Sequence, residues 1–292
     1  MPTTSPRLSS VQCLSPSGLH RVAYAEWGDP ANPRVLVCVH GLTRSGRDFD
    51  ILAQAFADEY RVVCPDIVGR GQSDWLRNPA GYAIPQYVAD MVSLLARLDV
   101  ETVDWFGTSM GGLIGLGLAG LPDSPIRKLL LNDVGPRLDA AALGRIAEYL
   151  GQPAAFATDA EALDYLWSIS SSFGPHTPEE WRALNMPLLR RDGDAWTLRY
   201  DPAIAVPFTA VTAETAAAGE AMLWSALEAF PGEIMVVRGE HSDLLSSETA
   251  AEMVQRGQHV RSVEIQGVGH APTFVRPGQI RVAREFFDDQ AV

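Results

Sequence analysis

Lysine is nearly missing from this chain. Lys128 is the one lysine, so the other basic side chains are arginines. Cysteine is scarce as well: three in 292 residues, Cys13, Cys38 and Cys64. An odd, small number argues against a disulfide scaffold and leaves room for at most one bridge, Cys38–Cys64; two of the three sit in apolar runs, as small core residues of a reducing compartment do. A long apolar run is also absent. The longest, such as 113–121, is too short for a bilayer. The first six residues lack the apolar stretch of a signal peptide. These absences lead us to expect a soluble, cytoplasmic protein with no membrane partner. Positive charge is in deficit too, with 23 basic against 36 acidic residues and a net charge of −13. Such a balance repels phosphate backbones, so no nucleic-acid partner is expected.

The chain does have enough apolar material for a full core: 47% of residues are hydrophobic and 20% charged. Its length suits one large domain, or a core domain with an insertion. Residues 10–14 and 19–27 read as a hairpin around Ser15-Pro16-Ser17-Gly18. Residues 34–39 (RVLVCV) form a continuous apolar run, the pattern of a strand buried on both faces. Strands and helices then alternate as far as Asp133, which implies a mostly parallel twisted sheet with flanking helices. From about 138 to about 224 that rhythm stops, and the segment reads as helical and aromatic. It resumes with a strand at 233–237, a helix at 247–255, a strand at 260–265 and a helix at 277–287. The expected organisation is therefore a core domain in two parts, 1–136 and 226–292, interrupted by a helical lid at 137–225.

Gly107-Thr108-Ser109-Met110-Gly111 matches G-x-S-x-G and falls between an expected strand and an expected helix. A serine at such a bend has strained dihedrals, and the glycines on either side relieve the crowding around it. The bend lifts the hydroxyl clear of the sheet and aims a helix N-terminus at it. A hydroxyl becomes a nucleophile only when a base takes its proton. Of six histidines, His270 in GVGHAP stands out, because it follows the last strand at its carboxyl end, where parallel sheets place their sites. His40, at the end of an apolar strand, reads as a scaffold residue. An orienting carboxylate is also needed, and two aspartates follow strands. Asp243 in RGEHSD is favoured, because its turn would aim a carboxylate toward the sheet edge and the order Ser…Asp…His is preserved; Asp133 is the rival. The backbone N–H of Met110, which opens the helix, and that of Leu42, in the loop His40-Gly41-Leu42-Thr43, are the expected oxyanion donors.

The ordered set VCVHGL, PDIVGRGQSD (65–74), GTSMGG, RGEHSD and GVGHAP resembles the α/β-hydrolase superfamily, in its serine-nucleophile, esterase- and lipase-like branch with a helical cap. The resemblance covers essentially all of the chain outside the lid. It implies the α/β-hydrolase fold, Ser109 as nucleophile, His270 as base, Asp243 as acid, and Leu42 and Met110 as oxyanion hole. It also implies neither a metal nor an organic cofactor.

The reaction expected from these residues is hydrolysis of a carboxylic ester of small or medium apolar acyl or aryl groups through an acyl-enzyme. The same machinery would serve an acyltransferase, a C–C bond hydrolase or a ligand-sensing module. Gly115-x-Gly117-x-x-Gly120 falls inside a helix, so it reads as close packing and not as a dinucleotide fingerprint. Phosphate-loop, H-E-x-x-H and paired C-x-x-C motifs do not occur. Lid aromatics suggest an apolar pocket for a small-molecule ester, with Trp167, Trp181 and, just after Asp74, Trp75 as candidate substrate contacts. The oligomeric state is not legible.

Overall fold

The computed structural model describes residues 5–152 and 154–288. Residues 1–4, on which part of the signal-peptide expectation rests, lie outside the described residues. In chain order the elements begin with β1 (Arg7–Ser15), β2 (Gly18–Trp27), β3 (Val35–Val39), α1 (Asp50–Phe56), β4 (Arg61–Pro65) and α2 (Ile84–Leu98). They continue with β5 (Val103–Thr108), α3 (Met110–Ala119) and β6 (Ile126–Asn132). Next come α4 (Ala140–Tyr149), β7 (Ala155–Phe156), α5 (Asp159–Ser170), α6 (Pro178–Asn185), β8 (Leu189–Asp192), β9 (Ala195–Leu198) and α7 (Ala205–Thr209). The chain closes with α8 (Ala213–Ala229), β10 (Glu233–Gly239), α9 (Ser247–Arg256), β11 (Val260–Ile265) and α10 (Pro277–Phe287).

Eight strands form one sheet in the order β1-β2-β4-β3-β5-β6-β10-β11. Pairing is antiparallel from β1 to β2 and from β2 to β4, and parallel across the remaining six strands. The pleat explains the unbroken apolar run of β3. Val35, Val37 and Val39 face a core shared with α2, α3, α8 and α9, while Leu36 and Cys38 face a second core shared with α1 and α10. Trp105 and Phe106 on β5, and Leu129 and Leu130 on β6, divide in the same way. The glycines of α3 serve packing, as expected, for a Cβ at Gly115 would lie 2.5 Å from the Trp105 indole nitrogen. All three cysteines are buried free thiols.

The inserted segment differs from the expected all-helical lid in two ways. It contains a small antiparallel sheet, β7-β9-β8, whose short strands carry too few residues to display a period in the sequence. Its last helix, α8, belongs to the core: Trp224 and Leu227 pack in the same cluster as α3 and β6, so the expected boundary at 225 falls within a core helix. The lid's own core is Ala162, Leu163, Leu166, Trp181, Leu188 and Leu189.

Candidate active site

The strand-helix junction at Ser109 is strained. Ser109 has φ 51° and ψ −116°, a conformation costly for a residue with a Cβ. The bend is so tight that a Cβ at Gly107 would lie 2.3 Å from the Gly111 carbonyl oxygen, and one at Gly111 would lie 2.0 Å from that of Val39. Both glycines of the motif are thus required by close backbone approach. The result is a hydroxyl projecting beyond the carboxyl end of β5 with the first amides of α3 beside it.

His270 meets that hydroxyl, its Nε2 standing 3.0 Å from Ser109 Oγ. Its other ring nitrogen, Nδ1, lies 2.7 Å from Asp133 Oδ2. A carboxylate accepts, so Nδ1 carries the proton and Nε2 is left to accept one from the serine. Asp133, buried at the end of β6, is held by two further donors: the Gly239 amide to Oδ1 at 2.7 Å and the Ser242 hydroxyl to Oδ2 at 2.6 Å.

The carboxylate favoured from sequence, Asp243, is elsewhere. Its side chain is nearly half exposed and pairs with Arg145 of α4, with Nη2 at 2.6 Å and Nε at 2.9 Å. The turn after β10, closed by the Ser242 amide on the Gly239 carbonyl, directs Ser242 inward and leaves Asp243 outside. Chain order could not separate the two aspartates, because both lie between Ser109 and His270.

The loop after β3 lies against the serine, where a Cβ on Gly41 would touch Ser109 Cβ at 3.7 Å. His40 shapes this loop and does not act as a base. Its Nδ1 donates to the Gly41 carbonyl at 2.7 Å and its Nε2 accepts from the Ile67 amide at 2.9 Å. Burial lowers its pKa to about 3, so the ring is neutral. Arg70, from the motif at 65–74, went unrecognised in the sequence. Fully buried, it donates to the Leu42 carbonyl at 2.8 Å, to the Val68 carbonyl and to Tyr87, and it reaches Met110 Sδ at 3.6 Å. One guanidinium thus braces both residues expected to supply the oxyanion donors. The invariable charge of arginine within GRG was the available signal.

A cleft runs from Ser109 and His270 under the lid, lined by Leu42, Ile146, Leu166, Ile169, Phe173 and Leu184, with Arg44 and Arg145 among its polar groups. The lid is tied to the histidine loop: Ser172 Oγ donates to the His270 carbonyl at 2.8 Å, and the Gly269 amide donates to the Ser172 carbonyl. None of the three tryptophans expected to contact substrate lines the cleft. Trp181 is buried in the lid core and donates to the Leu163 carbonyl; Trp167 packs edge-on against it at 4.9 Å with its outer face exposed. Trp75 lies under the Arg190 guanidinium, near the β1–β2 turn. Trp181 is taken up by the lid's own core with Trp167 packed against it, while other lid aromatics, Tyr149 and Phe173, line the cleft, and this is why composition misled.

Away from the cleft, Cys13, His20 and Asp90 bring ligand atoms within 4.8 Å of one another, buried between the β1–β2 hairpin and α2. His20 is already hydrogen-bonded to Asp90 there at 3.0 Å. Among the described residues no helix is long and apolar enough to cross a membrane.

A family model described as the alpha/beta hydrolase fold matches residues 34–277. The chain belongs to the α/β-hydrolase family. This hydrolase is 64% identical to the 3-hydroxybutyrate-oligomer hydrolase of Cupriavidus necator over 98% of its own length and 99% of the relative's. It is 26% identical to an esterase of Mycobacterium tuberculosis, covering 91% of this chain and 86% of that one. Among solved structures, an alpha/beta hydrolase from Novosphingobium aromaticivorans superposes with a TM-score of 0.84 at 35% identity, over 97% and 98% of the two chains. The hydrolase is a serine-dependent carboxylic ester hydrolase, as its motifs lead one to expect.

Proposed function

We propose that this hydrolase cleaves short linear oligomers of 3-hydroxybutyrate, with Ser109 as nucleophile, His270 as general base and Asp133 as the carboxylate that orients it. The unbroken hydrogen-bonded line from Ser109 through His270 to Asp133 carries the assignment of roles. The 64% identity over nearly both full lengths supports the substrate. In the first step His270 Nε2 takes the serine proton as Oγ attacks the ester carbonyl. The amides of Leu42 and Met110 receive the developing oxyanion, where preorganised donors contribute most to catalysis. The tetrahedral species collapses, His270 gives its proton to the departing hydroxyl group, and an acyl-serine remains. Water, deprotonated in turn by His270, releases the acid. One ester bond and one water become one carboxylic acid and one alcohol.

The cleft suits such a chain. Its apolar walls mix aliphatic and aromatic side chains that suit the methyl group of each repeat, while the hydroxyl groups of Thr43, Thr108, Ser170 and Thr273 stand at intervals to meet the ester carbonyls. The three buried free thiols are consistent with a cytoplasmic setting. The test is to incubate the protein with the dimer and trimer of 3-hydroxybutyrate and follow monomer release by chromatography. Release that vanishes in Ser109→Ala is expected. Hydrolysis of 4-nitrophenyl butyrate without any cleavage of either oligomer would overturn the substrate assignment.

A further inference from the structure

Two guanidinium groups reach the cleft, and they are engaged differently. Arg44 is buried and committed. It donates through Nε and Nη2 to both oxygens of Asp48, and through Nη1 to Asn185 of α6 at 2.7 Å. Arg145 stands at the cleft's edge on lid helix α4, two-fifths exposed, and its partner Asp243 is exposed to a similar degree. An ion pair that open to water contributes little to stability, so one carboxylate can replace another there at small cost. Asp243 takes only the Nε and Nη2 edge of a group that carries five N–H donors.

An oligomer of a hydroxy acid ends in a free carboxylate, one or more repeats from the bond to be cut. A chain with a net charge of −13 repels such a molecule unless a local cation receives it. We propose that Arg145 anchors the terminal carboxylate of the substrate, and that Asp243 is the resident carboxylate the substrate displaces. This rests on the oligoester reading above, and it extends that reading to a preference for esters bearing a free acid at the end remote from the scissile bond. Arg145 is here a specificity residue, remote from the reacting atoms.

The discriminating experiment uses two variants that break the same ion pair. For the 3-hydroxybutyrate dimer and its methyl ester, the ratio of kcat/KM (acid over ester) is measured in wild type, Arg145→Gln and Asp243→Asn. If Arg145 is the anchor, Arg145→Gln lowers the ratio about 10- to 100-fold, chiefly through KM for the acid, as loss of a charge-assisted contact should. Asp243→Asn retains or raises it, because the competing carboxylate is gone. Should the two variants shift both substrates alike, the pair merely fastens the lid and the proposal fails. It also fails if the wild type shows no preference for the acid. 4-(Butanoyloxy)benzoic acid, whose free acid lies on the alcohol side of the scissile ester as in the dimer, and its methyl ester form a second acid–ester pair, on which the same ratios are read. If the wild type leaves both forms of the dimer intact, the oligoester reading falls while this second pair still decides the anchor.

Discussion

The hydroxyl of Ser242 donates to Asp133 at 2.6 Å, whereas its immediate neighbour Asp243 turns outward to Arg145. One step along the chain separates a residue that supports the histidine's carboxylate from one that pairs with an arginine of the cleft lining. The consequence is measurable. Asp133→Asn should lower kcat on 4-nitrophenyl butyrate by about three to four orders of magnitude, since an amide cannot hold the His270 tautomer. Its effect should exceed that of Asp243→Asn at least a hundredfold. The reverse order would return the orienting role to Asp243.

The dihedrals of Ser109 make a separate statement about stability. Ser109→Ala and Ser109→Gly both lose the hydroxyl and should both lose turnover by about three or more orders of magnitude. They differ in Cβ. Removing it relieves strain of about 1–3 kcal/mol, partly offset by the greater freedom of an unfolded glycine. Urea denaturation should therefore find the glycine variant about 1 kcal/mol more stable than the alanine variant.

Arg70 can be tested as a positioning residue. Arg70→Lys keeps a charge but cannot span the Leu42 carbonyl, the Val68 carbonyl and Tyr87 together. We expect kcat to fall about 10- to 100-fold with KM little changed, because a displaced oxyanion donor is felt mainly in the transition state. The loss should be the same for acidic and neutral esters, unlike that of Arg145→Gln. A change confined to thermal stability would assign Arg70 to folding alone.

His40 sets a pH dependence of stability. In the unfolded chain its imidazole takes a proton as pH falls below about 6.5, while in the folded protein it does not until about pH 3. Between those values the unfolded state binds the extra proton, so acid favours unfolding through this group. Replacement by a residue that does not titrate, His40→Gln, removes that term. Unfolding free energies of wild type and variant should diverge in slope by up to about 1.4 kcal/mol per pH unit across this window, the wild type falling faster toward acid. Parallel curves would show that the ring of the folded protein takes up its proton as readily as that of the unfolded chain.

Much of this molecule is determined locally and can be read from the chain. The buried strand read at 34–39, the strand–helix alternation that follows it and the bend at Ser109 depend on neighbours a few residues away, through the period of apolar residues and the space that Gly107 and Gly111 leave. His270 was legible because a glycine-rich loop at a strand's end already defines its place beside that bend. The choice between Asp133 and Asp243 was not legible. Both follow strands in the right order, and the decision lay in which way one turn after β10 points its side chains. The pocket walls were equally hidden. Trp167 and Trp181 could have lined the cleft or filled the lid, and only packing among α5, α6 and the small lid sheet put Trp181 in the lid core and left Trp167 half exposed against it. Composition and spacing report what a segment can become, while the direction of a side chain over a distance of 137 residues, from Asp133 to His270, depends on how separate elements close on one another.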